Sequence, residues 1–165
     1  MLFNNIDIME EFGFKGFESV DTLMMYECSQ IPKKKGIYFV LNQNGTPKML
    51  QKSVGGHFKG KDPAVSIKKL KENWVDDTLV VYIGKAGGTG IGATLQSRLK
   101  QYMQYGEGDP VGHQGGRYIW QLEHNRNLII CYKALSETEP RDEEKKLILE
   151  FEKYYGKMPF ANLSH

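Results

Sequence analysis

The nine residues VVYIGKAGG, Val80 to Gly88, constrain the fold more than any other part of the chain. Their first half is β-branched and aromatic, the make-up of a strand, and their second half breaks into glycine and lysine. More glycines follow, and then Leu95, Leu99, Tyr102 and Met103 recur at i, i+4, i+7 and i+8 behind a capping Thr94. That is the stripe of an amphipathic helix running to about Tyr105. A strand, a glycine loop and a helix in that order demand a domain that mixes sheet and helix. The same layout is used to cradle phosphates, but the details differ here. Gly88-Thr-Gly90-Ile-Gly92 is GxGxG, Gly84-Lys85 is followed by Ala86 rather than Ser or Thr, and no second parallel strand ends in an acid about 20 residues on. No nucleotide cofactor is expected, and a nucleotide-binding regulatory domain is kept only as a third reading.

The remaining segments follow the same logic. Gly36–Leu41 reads as a strand ended by the Asn44-Gly45 turn. TPKMLQKSVGGHFKGKDPAV reads as a long loop, SIKKLKENWV as a helix, and Leu79–Ile83 as the next strand. RYIWQL and LIICYKAL read as strands about EHNRN, although the first also suits a helix. The segment after Pro140 is a helix stopped by Gly156. Residues 1–32 read as a helical or irregular lead-in. The expected fold is α/β (α+β), a small domain over residues 33–165 with an insert at about 45–78. Met24, Met25, Trp74 and Trp120 are expected in the core.

With 165 residues, 40% hydrophobic and 25% charged, the chain has the size and make-up of one soluble globular domain. No apolar run approaches the roughly 18 residues of a membrane span. The opening MLFNNIDIMEEFGF has three acids and no Lys or Arg, the wrong pattern for a secretion signal. Two distant cysteines make neither a disulfide framework nor a zinc site, so a cytoplasmic location is expected. The net charge of +2 hides an asymmetry. Lys33 to Gln101 holds 13 Lys and Arg against 4 Asp and Glu, a local +9, and the rest holds 9 against 16, a local −7. A basic segment in a nearly neutral chain points to a polyanionic partner.

Two tripeptides, GIY at Gly36–Tyr38 and YIG at Tyr82–Gly84, resemble the signature of the GIY-YIG nuclease superfamily. YIGKA at Tyr82–Ala86 is similar to the fuller form in its excision-repair members. LQSRLKQY at Leu95–Tyr102 resembles the helix with the superfamily's essential arginine, here Arg98. EEKKLI carries Glu144 and PFAN carries Asn162, in the places of its glutamate and its asparagine. Five motifs thus run in order over residues 36–162. The departure is the spacing, because the insert separates tripeptides that usually lie close together. The resemblance implies a three-stranded antiparallel sheet and hydrolysis of DNA phosphodiesters with one divalent metal, Mg²⁺ or Mn²⁺. It implies that Glu144 ligates the metal, that a tyrosine orients or deprotonates water, and that arginine and lysine stabilise the phosphate. A module of the same fold that binds DNA without cutting it is the second reading.

The residues themselves suit this chemistry. Phosphodiester hydrolysis needs an activated water, neutralised transition-state charge and help for the leaving group. Tyr38 and Tyr82 lie on adjacent strand candidates, so their hydroxyls meet at one sheet surface. A tyrosine with a pKa near 10 is a poor base unless a cation stands by, and Lys85 and Arg98 offer that charge. A guanidinium presents two parallel donors to a phosphate. On the last helix, Leu147, Ile148, Phe151, Tyr154 and Tyr155 define an apolar stripe. Glu144 falls about 20° from its centre, whereas Glu143, Glu150 and Glu152 fall roughly 80–100° away. An acid inside an apolar stripe needs a partner, a metal or Arg98. Asn162 is expected to hydrogen-bond backbone near the site. Lys59, Lys61 and Arg117, with His57 and His113 in the same glycine-rich loops, are the expected contacts to the DNA backbone.

Overall fold

A computed structural model describes residues 1–112 and 115–164. Its helices and strands follow one another as α1 Ile6–Glu11, β1 Lys15–Ser19, α2 Val20–Met25, β2 Gly36–Leu41, α3 Ile67–Asn73, β3 Val80–Ala86, α4 Leu95–Gly106, β4 Ile129–Ala134 and α5 Pro140–Tyr155. The chain is therefore a mixed α/β fold, and its sheet is antiparallel throughout, in the order β1-β4-β2-β3. Four strands form it, not three. The extra one, β1, comes from the lead-in and pairs with β4. Its sequence hides it, since KGFES carries a bulge between Gly16 and Glu18 and a left-handed Phe17 (φ 53°) that break the period of two.

Alternation in β2 sorts the core into two layers. Tyr38 and Val40 face the α4 side, where Leu95, Leu99, Tyr102, Met103 and Trp120 pack on them. Ile37, Phe39 and Leu41 face the other way, against Leu147, Ile148 and Phe151 of α5. In β3 the register slips between Val40 and Leu41, so that Val81 bulges and Val81 and Tyr82 both join the α4 layer. Each fully buried Leu or Ile contributes roughly 1.5–3 kcal/mol, so the sheet is held mainly by being covered on both faces.

Local chemistry sets the helix ends. Thr94 and Ser97 form a reciprocal capping box at the start of α4, and Pro140 opens α5. Gly156 closes α5 in the left-handed region at φ 78°. Arg117–Gln121, read as a strand that also suits a helix, is a 3-10 turn: Tyr118, Ile119, Trp120 and Gln121 are all buried in succession, with none of the alternation a strand shows. Met25 is 70% exposed and is not a core residue, whereas Trp120 is fully buried. Tyr154, placed in the apolar stripe of α5, is 64% exposed. Among the described residues no helix is long and apolar enough to cross a membrane.

Candidate active site

The β2–β3 register sets Tyr38 opposite Gly84. The Tyr38 ring lies over that glycine so closely that a Cβ there would enter the ring, which is why the strand carries glycine at this point. Tyr82, two residues earlier on β3, meets Tyr38 edge to face with ring centroids 6.0 Å apart. Tyr102 of α4 completes a three-ring wall, 6.3 Å from Tyr38 and 5.8 Å from Tyr82. Its hydroxyl donates to the Gly116 carbonyl at 2.6 Å, which draws residues 115 and 116 across Tyr82. A Cβ on Gly115 would stand 2.9 Å from the Tyr82 hydroxyl, so only glycine admits this crossing.

β3 is an edge strand, and the candidate site wraps around that edge. Tyr38, Tyr82 and Arg98 approach from the α4 side, Glu144 comes from α5, and Lys85 comes from β3 itself. All five line one pocket of about 250 Å³, together with Ala86, Gly87, Ile91 and Ala93. The Lys85 ammonium lies 3.8 Å from the Glu144 carboxylate, whose side chain is 15% exposed. Arg98 is half-buried, and its guanidinium donates to Gln101 at 2.7 Å. Asn162 stands behind the site. Its amide accepts from the Ile83 N–H and donates to the Ile83 carbonyl, both at 2.9 Å. It thereby takes the place of a neighbouring strand on the open edge of β3 and ties the end of the chain to the site.

Burial dominates the electrostatics. It pushes the Glu144 carboxyl above its ordinary range, and Lys85, then Arg98, recover only part of the shift. Burial also raises both tyrosine hydroxyls, which share a hydrogen bond; the Glu144 charge raises them further and Arg98 lowers them. Both phenols are therefore protonated at neutral pH and act as hydrogen-bonding groups unless a further cation enters.

The single divalent ion that the GIY-YIG resemblance implies is tested by the donors present. Glu144 is a lone carboxylate on a pocket wall, carrying a charge that burial makes costly. Among the described residues no group of three or more His, Cys, Asp or Glu is arranged to hold a metal. Mg²⁺ is commonly held by one or two carboxylates, with waters and substrate phosphate filling its shell. The pocket fits an ion bound in that manner, with Glu144 as its protein ligand.

Several residues that sequence reasoning passed over shape the rim. Glu139 accepts from the Thr89 N–H at 3.0 Å and the Thr89 hydroxyl at 2.8 Å, and lies 3.6 Å from Lys35. It pins the tip of the glycine loop across fifty residues of chain, and no local pattern announces such a pairing. The basic loop residues lie apart from the pocket. Lys61 and Arg117 line a separate cleft, Lys59 lies over the Phe58 ring, and His57 is exposed beside Asp62. His113 lies outside the described residues. No protein-family model, no curated protein and no solved structure matches the chain.

Proposed function

We propose that the protein is a metal-dependent endonuclease of the GIY-YIG type that hydrolyses DNA phosphodiester bonds. The observation that carries this reading is the meeting of Tyr38, Tyr82, Lys85, Arg98 and Glu144 on one pocket at the edge of β3. Residues spread over 106 positions of sequence, from Tyr38 to Glu144, converge there, and together they supply what the reaction requires. Arg98 and Lys85 offer positive charge to the phosphate as its negative charge builds. Tyr82, on the pocket wall and braced by Tyr38, orients the attacking water by hydrogen bonding. Glu144 holds Mg²⁺ or Mn²⁺, which when bound lowers the pKa of water and offsets phosphate charge. Asn162 keeps the edge strand in place while the substrate lies against it. The basic segment from Lys33 to Gln101 attracts the polyanion.

The glycine loop argues against a nucleotide site. The Thr89 amide, where a phosphate would be cradled, already donates to a carboxylate, and that charge repels another anion. A module that binds DNA without cutting it stays as the second reading, favoured by the Lys85–Glu144 contact, which partly satisfies the carboxylate by itself. Incubation with supercoiled, branched and single-stranded DNA, in Mg²⁺ or Mn²⁺ and then in EDTA, separates the two. Cleavage that needs the metal is expected. Binding without cleavage in any lane would leave the second reading.

A further inference from the structure

A second pocket opens next along the loop that crosses Tyr82. Gly115 and Gly116 touch the Tyr82 ring, and the following residue, Arg117, lines a cleft with Phe58, Lys61 and Tyr105. The insert builds one wall. The Gly56 N–H donates to the Tyr105 carbonyl at 2.9 Å, and the Gly56 Cα lies against the Asp109 carbonyl with no space for a side chain. Gly55 faces the Tyr105 ring in the same close manner. The insert is thus seated on the end of α4 by two glycines, and Lys61 is brought to Arg117 by that seating.

The cleft has a volume of about 120 Å³. That exceeds the ~30 Å³ share of one water and falls well short of the ~300 Å³ of sites for drug-sized ligands. A phosphate group fits, whereas a base with its sugar does not. Two cations face one acid. Asp62 also lines the cleft, but it accepts from the Ala64 N–H at 2.9 Å and lies 4.0 Å from His57, so part of its charge is spent on the loop's own turn. Phe58 and Tyr105 wall the space against water, which strengthens the pull of Lys61 and Arg117 on an anion.

The helix α4 measures the offset between the two pockets. Arg98 lies at the candidate active site and Tyr105 at the second cleft, seven residues on. At 1.5 Å per residue that is about 10 Å along the helix, and because each nucleotide turns about the DNA axis as well as rising ~3.4 Å along it, this offset spans no more than about two phosphates of one strand. We propose that this cleft seats one backbone phosphate of the DNA, about two nucleotides from the phosphate that is cut, so that the insert sets the register of cleavage. The proposal rests on the nuclease reading and deepens it.

The test uses a short duplex whose cut site has been mapped with the wild-type protein in Mg²⁺. Single uncharged methylphosphonates are then placed at each position of both strands, and binding is measured in EDTA. One substitution about two nucleotides from the cut should weaken wild-type binding several-fold. Lys61→Ala should bind that duplex no worse than it binds the unmodified one, and should lower the slope of log affinity against log salt by about 0.9. Lys61→Arg should restore both effects. Lys61 is exposed, so these variants fold as the parent does, which a melting curve checks. If the Lys61→Ala and methylphosphonate losses multiply at every position, the cleft holds no phosphate and the proposal fails while cleavage stands. Coupling at a position remote from the second nucleotide overturns the register. A wild-type protein that cuts no DNA at all overturns the nuclease reading and this one with it.

Discussion

Glu144 sits on a pocket wall with Lys85 3.8 Å away, yet burial outweighs that cation and leaves its carboxyl raised. A raised carboxyl favours folding only in its neutral form. Its contribution is complete below the unfolded pKa and is lost as pH rises through the folded one, so at neutral pH the charge is a burden on the fold. Glu144→Gln removes that burden with little change of shape. The expected outcome is an unchanged or raised melting temperature, retained DNA binding and loss of nearly all cleavage, whereas Glu150→Gln, exposed on the same helix, stays active. Robust cleavage by Glu144→Gln, or its loss in Glu150→Gln, would remove Glu144 from the metal. Asn162 carries the opposite balance. Truncation to Ala orphans the N–H and the carbonyl of Ile83 at a buried edge, at a cost of about 1–3 kcal/mol for each group left unpaired. Denaturant unfolding of Asn162→Ala should show a loss of several kcal/mol. A loss below 0.5 kcal/mol, the scatter of ordinary surface changes, would mean that water replaces the amide freely.

The β2–β3 pair shows how an element, rather than a residue, fixes the candidate site. Tyr38 reaches the pocket only because Gly84 opposite leaves space for its ring. In Gly84→Ala the methyl would enter that ring, and β3, held by Asn162, has little freedom to yield. Tyr38 must turn away instead. The expected result is a folded protein with a loss of about 1–3 kcal/mol, typical of an overpacked core, and cleavage down by orders of magnitude while DNA affinity is nearly kept. Full activity would show that the tyrosine pair is not needed where it stands. Much of this level was legible in the sequence. The GIY and YIG tripeptides announced two strands, Thr94 and the Leu95–Met103 stripe gave α4, and Gly156 gave the end of α5. What stayed hidden has physical causes. β1 is broken by a bulge and a left-handed residue, so it shows no period of two. Tyr118–Gln121 shows no alternation because four successive residues of that 3-10 turn are buried. The Glu139–Thr89 clamp and the seating of the insert on α4 join residues distant in sequence, which local patterns do not encode. The sequence points to the five pocket residues but not to the contact between Lys85 and Glu144, since helix angles place an acid on a face without saying what it meets.

Across the whole molecule, burial acts on the titratable groups of the core in one direction. Cys28 is 1% exposed and its thiol is pushed up to about 11, burial raises the thiol of Cys131 further still, and the Tyr102 hydroxyl is held well above its ordinary value. All three are neutral in the folded chain and ionise readily only once it unfolds. For each, the folded pKa lies above the unfolded one, so its stabilising effect is intact below the unfolded pKa and drains away as pH rises through the folded pKa. The window opens near pH 9, the ordinary value of Cys28, and Tyr102 adds its share from about pH 10 upward. Each group then removes up to about 1.4 kcal/mol per pH unit until its own folded pKa is reached. Denaturant midpoints should therefore be flat between pH 7 and 8 and fall with increasing steepness above 9. Cys28→Ala should lessen the fall between pH 9 and 11, to which Cys131 also contributes, and leave the part above pH 11 unchanged. The thiols should also react with a disulfide reagent far more slowly in the native protein than in denaturant, since the thiolate is the reactive form and neither sulfur is accessible. A midpoint that holds to pH 11, or native thiols as reactive as unfolded ones, would mean that the two core layers, Cys28 with Tyr102 in one and Cys131 with Phe39 in the other, open to water far more readily than their packing implies.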